Sequence, residues 1–228
     1  MKDRPSRRTS SDATVHRIME AAADEFAESG FGGARMDAVA RRAEVNKAVI
    51  YYHIGDKKQL YERVLHAVFG EAADRIEAET ALAGGPEAKL RSFIRNISAT
   101  VDRHRHMAPV MLREVAAGGA DLPDSVLEQM ARIVRVLGAI LAEGEAEKVF
   151  GEMPPFVLHL LVTGTTLLFK ASGPIRKRME TMPDGPGPME RPPERLMDRI
   201  DIADVLEPFI LRAIARPDGA AAREGDAQ

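Results

Sequence analysis

Between Met36 and Ile54 the chain reads MDAVARRAEVNKAVIYYHI, two short helical pieces joined by a few polar residues. Isolated helices shorter than about 12 residues are marginal in water, so these two must pack on each other and on a helix before them. Val39, Ala40 and Ala43 form the inner face of the first piece, and Val45 staples the turn. Asn46 is a strong N-cap for the second piece, whose apolar contacts are Val49 and Ile50. The small side chain of Ala40 lets the second helix approach closely, and the branched Ile50, ten positions later, meets it. That spacing is what a helix-turn-helix needs.

The rest of the chain carries helical periodicity, with no sustained strand-type alternation. Val15, Ile18, Met19, Ala22 and Phe26 lie on one stripe; Ser10 and Ser11 offer N-caps and Gly30 a stop. Leu60, Val64, Leu65, Val68 and Ala72 trace a helix opened by Asp56, and the break at 83–86 (AGGP) separates it from a stripe at Leu90, Phe93, Ile94, Ile97 and Val101. Val126, Met130, Ile133, Val134, Leu137 and Leu141 mark a further helix. The apolar run FVLHLLVTGTTLLF, 156–169, is 14 residues long. A bilayer span needs about 20, so a buried helix is expected there. Residues 172–194 hold six of the 14 prolines and are expected to form a long mobile loop. Beyond it Ile202, Leu206, Phe209, Ile210 and Ala213 resume a helical stripe that Pro208 must open or kink. The fold class is all-α, with residues 1–10 a flexible basic arm, 11–55 a helix-turn-helix domain, 56–215 a helical body and 216–228 a disordered tail.

The chain has no cysteine, which excludes disulfide scaffolds, thiol enzymes and cysteine-ligated zinc or iron–sulfur centres. The N-terminal MKDRPSRRTSSD lacks an apolar h-region, so neither a secretory signal nor a membrane anchor is expected, and the protein is placed in the cytoplasm. A net charge of -3 looks unpromising for nucleic-acid binding, but the charge is unevenly spread. Residues 1–65 carry 12 Lys+Arg against 10 Asp+Glu, whereas 66–228 carry 20 against 25. Between 35 and 58 six basic residues face three acidic ones, with Tyr51, Tyr52 and His53 among them. Cationic groups, phenolic hydroxyls, imidazole and helix N-terminal amides grip phosphate oxygens, while a helix N-terminus can enter a major groove and touch base edges.

Residues 17–65, RIMEAAADEFAESGFGGARMDAVARRAEVNKAVIYYHIGDKKQLYERVL, resemble the DNA-binding domain of the TetR family of bacterial transcriptional regulators. The marks are Phe26, Gly30-Phe31, Val39-Ala40, Val45-Asn46-Lys47, Tyr51-Tyr52-His53 and Asp56-Lys57, in register over the whole stretch. The resemblance implies three N-terminal helices around the helix-turn-helix, a C-terminal helical domain that binds a small-molecule effector and dimerises, and an Ω-shaped homodimer. It places Lys47, Ala48 and Val49 against bases and Tyr52, His53 and Lys57 against phosphates. Tyr51 is a further DNA-contact candidate, with packing against the first helix as its alternative, and Arg35, where the family usually has Ser or Thr as helix cap, adds a phosphate contact and leaves the cap weaker. The chain departs from the family at three positions. Glu44 stands where the turn favours glycine, Ala48 and Val49 replace glycine and threonine, and Ile54 replaces phenylalanine.

In the body, Phe93, Met107, Met111, Met130, Leu137, Phe156, His159 and Thr163 fall on inner stripes and are the candidate effector-pocket residues, with ordinary core as the plainer reading. The last two helices, about 155–171 and 195–215, are expected to build the dimer interface. His104 and His106 lie at i and i+2, on different helix faces, and do not make a metal site. No nucleophile–base set or phosphate loop accompanies Asp102, so neither catalysis nor a cofactor is expected. The expected function is a repressor that binds a palindromic DNA operator as a dimer and is released by a small-molecule effector. The alternatives are a helical small-molecule-binding protein or enzyme with a vestigial DNA-binding domain, and a non-specific nucleic-acid protein.

Overall fold

A computed structural model describes residues 7–180, 182 and 200–216. Among them are ten helices, and they divide into two compact units. One unit holds the chain through Gly70 together with Pro109–Gln129; the other holds Glu71–Ala108 and the chain from Met130 onward. The sequence boundary at residue 55 therefore falls inside the first unit, which also recruits a segment from later in the chain.

The first unit opens with α1 (Arg7–Gly33), which is already helical at Arg7, ahead of the expected caps Ser10 and Ser11. Residues 7–10 are thus helix rather than flexible arm, and the remainder of the arm lies outside the described residues. Gly30, at φ 68, does break α1 and leaves Phe31–Gly33 as a short terminal turn. Helices α2 (Met36–Arg42) and α3 (Lys47–His53) follow, then α4 (Lys57–Leu82). Ile18, Ala22, Phe26, Val39, Ala40, Ile50, Leu60 and Tyr61 are buried together, the expected inner face of the helix-turn-helix. Phe26 meets Tyr61 edge-on at 4.7 Å between ring centroids, and Phe31 lies 4.9 Å from the same ring. The helix α6 (Met107–Ala116) enters this unit through a buried hydrogen bond from the Tyr61 hydroxyl to the Glu114 carboxylate. Arg113 adds a bond to the backbone carbonyl of Glu28 at 3.0 Å.

In the second unit α5 (Gly85–Arg103) packs on α8 (Pro155–Ala171) and α10 (Ile202–Ile214). Leu90, Phe93 and Ile94 of α5, Leu137 and Ile140 of α7 (Asp124–Ala146), Leu158 and Val162 of α8, and Leu206 and Ile210 of α10 form its core. The apolar run at 156–169 is a helix with only one face buried, through Leu158, His159, Val162, Thr166 and Leu167. Polar clamps hold α10 to α5: Arg95 reaches Glu207 at 2.8 Å, and Ser98 donates to Asp201 at 2.9 Å while Asp201 caps α10 through the Ala203 amide. Pro208 does not open α10; it sits inside the helix, where its missing N–H leaves the carbonyl of residue 204 without its helical donor.

The expected proline-rich loop is corrected at its start, because α9 (Gly173–Glu180) is helical. Pro174 stands in the first turn, where a missing N–H costs nothing. Arg176 lies over the Phe169 ring at 4.2 Å and bonds back to Ser172, tying α9 to the end of α8. The prolines at 183, 186, 188, 192 and 193, the expected helix start at 195, and residues 217–228 lie outside the described residues.

Candidate nucleic-acid interface

The Asn46 side chain accepts the Ala48 amide at 2.9 Å, so α3 begins where the sequence says it does. That cap leaves Ala48 exposed, with Lys47 and Val49 half-buried beside it. Tyr52 is 84% exposed and Tyr51 48%, while His53 stands edge-on to Tyr52 at 5.0 Å. A large aromatic that exposed has no role in the core. Ile50, on the opposite side of α3, is fully buried and fixes which face turns outward.

The turn before α3 is a Schellman arrangement. The Val45 amide donates to the Ala40 carbonyl at 3.0 Å and the Glu44 amide to Arg41 at 3.3 Å, which requires the left-handed conformation Glu44 adopts, φ 54. The glycine-favouring position is therefore a real backbone demand that this chain meets with a glutamate.

Arg35 flanks α2 with no side-chain cap of its own. The cap comes instead from α1: buried Glu25 accepts the Arg35 amide at 3.1 Å. Glu25 also lies 3.5 Å from Arg42, and Glu28 pairs with the same guanidinium. The lack of Ser or Thr at position 35 was the only sequence signal that a carboxylate from elsewhere serves this helix end. The Arg35 side chain remains exposed.

Lys57 does not join the other candidates. Its ammonium donates to the carbonyls of Phe31 at 2.8 Å, Gly32 at 3.3 Å and Ala34 at 3.3 Å and sits 4.7 Å over the Phe31 ring, so it caps the short turn after Gly30. The same stretch opens α4 by a capping box in which Gln59 donates to Asp56 at 2.9 Å and accepts from it at 3.0 Å. Lys47 has a partner too, the Asp37 carboxylate of α2 at 3.0 Å.

The effector-pocket candidates separate. Phe93, Met107, Leu137 and His159 are buried in the second unit, and the Phe93 and His159 rings meet at 6.4 Å. Thr163 stands 3.5 Å from His159 Nδ1. Burial pushes the His159 imidazole below its ordinary pKa. Met111 is buried but belongs to the first unit, and Met130 is only half-buried. Phe156 is corrected outright: it is 65% exposed on the outer face of α8, because it falls outside the stripe that Leu158, His159 and Val162 bury. Among the described residues no group of three or more His, Asp or Glu could hold a metal ion, and no single helix is long and apolar enough to cross a membrane.

A capped helix-turn-helix that turns basic and aromatic side chains outward, followed by a separate helical unit, is the architecture of a DNA-binding regulator. Comparison with known proteins gives the same class. Residues 18–64 match the family model for bacterial regulatory proteins of the tetR family, and residues 83–167 match that for the tetracyclin repressor-like C-terminal domain. The chain belongs to the TetR family, whose members are DNA-binding transcriptional regulators and not enzymes. It is 28% identical over 144 residues to the HTH-type transcriptional repressor NicS of Pseudomonas putida, covering 61% of this chain and 66% of that one. It is 48% identical over 54 residues to a transcriptional repressor of Streptomyces coelicolor, covering 24% and 28%. Both alignments span less than two thirds of the relative's own length. The fold is also that of the fatty acid degradation regulator FadR of Bacillus halodurans (TM-score 0.65, 17% identity, 92% of this chain and 97% of that one). The ketosteroid transcriptional regulator of Mycobacterium tuberculosis is similar too (TM-score 0.66, 16% identity, 88% and 94%).

Proposed function

We propose that this protein is a cytoplasmic repressor that binds a palindromic operator as a homodimer and is released by a small-molecule effector. The observation that carries the reading is the Asn46-capped N-terminal end of α3, which leaves Ala48 exposed and Lys47 and Val49 half-buried; it supports a role for these three residues at base edges. Tyr51, Tyr52, His53 and Arg35 flank that end within reach of phosphates. Ala48 and Val49 favour apolar contact with thymine methyl groups. Lys57 acts as a structural cap, its ammonium held by the carbonyls of Phe31, Gly32 and Ala34.

The outer faces of α8 and α10 support a dimer interface. Leu160, Leu161 and Leu168 of α8 and Val205 and Phe209 of α10 are each at least half exposed, an unusual amount of apolar surface for a free helix pair. A second copy of the same face would cover it. The effector site lies in the second unit around Phe93, His159 and Thr163, where one ring nitrogen and one hydroxyl supply polarity among apolar side chains. An effector that prefers the wrong spacing of the two α3 helices by about 1–3 kcal/mol is enough to release DNA.

The test is equilibrium binding of the full chain to duplex DNA over a salt series. Lys47→Ala and Tyr52→Ala are expected to weaken binding by about tenfold or more without lowering the melting temperature. Phe209→Glu is expected to yield a monomer by sedimentation. Salt-insensitive binding, or full affinity in both head variants, overturns the reading.

A further inference from the structure

The ion pair between α2 and α3 has a bearing on DNA reading that goes beyond the contacts proposed above, although it rests on that reading. The Lys47 ammonium lies 3.0 Å from each oxygen of the Asp37 carboxylate. Lys47 is the first residue of α3 and Asp37 the second of α2, so the pair spans the helix-turn-helix. Both partners face solvent, with side-chain exposures of 42% and 75%. A pair this open adds little to stability. Its consequence is for what else the ammonium can bind.

We infer that Asp37 is a specificity-determining residue that withholds Lys47 from sequence-independent phosphate contact while leaving it able to read a base. A lysine ammonium has three N–H donors, and facing both carboxylate oxygens leaves one of them free. A DNA phosphate is an anion that competes directly with Asp37 for the same point charge, and its approach meets the repulsion of that carboxylate. The O6 and N7 of guanine are neutral acceptors; they can take the third N–H while the pair stays intact. Asp37 therefore subtracts from binding to any duplex and leaves binding to the right base largely unchanged. Arg42 fits the same pattern, since it is held by Glu25 and Glu28. With Lys47 and Arg42 pre-paired, the head gains discrimination at the expense of raw affinity.

The test compares the full-length wild type, Asp37→Asn, Lys47→Gln and the double variant. Each is titrated by fluorescence anisotropy onto a random-sequence duplex and onto a duplex enriched from a random pool, between 50 and 200 mM salt. Freeing one ammonium for one phosphate is expected to steepen the log affinity against log salt slope of Asp37→Asn on random DNA by about 0.9 per head. That corresponds to about a 3.5-fold larger loss of affinity across the salt range per head. The ratio of enriched to random affinity should fall, and the added slope should vanish in the Lys47→Gln background. Asp37→Ser, which keeps a residue favoured at helix starts, guards against a folding defect and should behave as Asp37→Asn does. An unchanged slope in Asp37→Asn, or the same increase with and without Lys47, overturns the inference while wild-type binding stands. Absence of salt-sensitive binding by the wild type overturns the DNA-reading proposal itself.

Discussion

Replacing Glu44 by glycine should stabilise the helix-turn-helix, and the size of the effect follows from the turn. Glu44 holds φ 54 because the Schellman bonds from Val45 to Ala40 and from Glu44 to Arg41 cannot otherwise form. A side chain in the left-handed region costs about 1–2 kcal/mol through the contact of Cβ with the following carbonyl. Glycine removes that contact and adds about 0.5–1 kcal/mol of backbone entropy to the unfolded chain. The net gain for Glu44→Gly is about 0.5–1 kcal/mol. For a unit the size of the first one, this corresponds to a rise of about 2–8 °C in its melting temperature. Glu44→Ala is the control: it removes the carboxylate and keeps the strained backbone. Thermal unfolding followed by hydrogen exchange of the α2 and α3 amides reads the first unit separately from the second. Glu44→Gly should exceed Glu44→Ala in stability, while both should bind DNA more tightly than the wild type because a carboxylate has left the turn. If the two variants melt together, the backbone argument is wrong.

Further outcomes follow from the paired and buried polar groups. Tyr61→Phe leaves the buried Glu114 carboxylate without its donor and should cost about 1–3 kcal/mol in denaturant unfolding. Burial and the Glu114 bond push the Tyr61 phenol well above its ordinary pKa. The unfolded chain ionises at pH about 10 and the folded one does not, so the stability from this site is present below pH 10 and lost above it. The difference between wild type and Tyr61→Phe should accordingly shrink in melts above pH 10. His159 has the opposite sign: its lowered pKa gives stability that is present above pH about 6.5 and lost on acidification, and His159→Gln should flatten that acid limb. Lys57→Gln should lower the melting temperature of the first unit by freeing the carbonyls of Phe31, Gly32 and Ala34, even in the absence of DNA.

Local rules made much of the reading head legible. The Asn46 cap, the Gly30 break and the inner stripe of Val39, Ala40 and Ile50 each depend on residues within a few positions of one another, and each stands where spacing puts it. What escaped the sequence depends on partners far along the chain. Glu25 caps a helix ten residues away, and Tyr61 finds Glu114 across 53 residues, pairings that no periodicity encodes. Lys57 carries the right charge in the right motif, yet three carbonyls left open by the Gly30 break take its ammonium. Helix α9 escaped because proline density dominates 172–194, although Pro174 in a first turn is compatible with a helix. Phe156 and His159 share one apolar run and lie only three residues apart, but the buried stripe of α8 is narrow and takes in His159 while leaving Phe156 beyond its edge.

The central claim is that paired α3 helices read one operator. Selection of duplexes by the full-length protein from a random-sequence pool tests it most directly. The account predicts enrichment of a single palindrome whose half-sites are centred about one helical turn apart or a multiple of it, roughly 34–36 Å per turn, and loss of that enrichment in Lys47→Ala. Recovery of unrelated sequences with no shared half-site would contradict it.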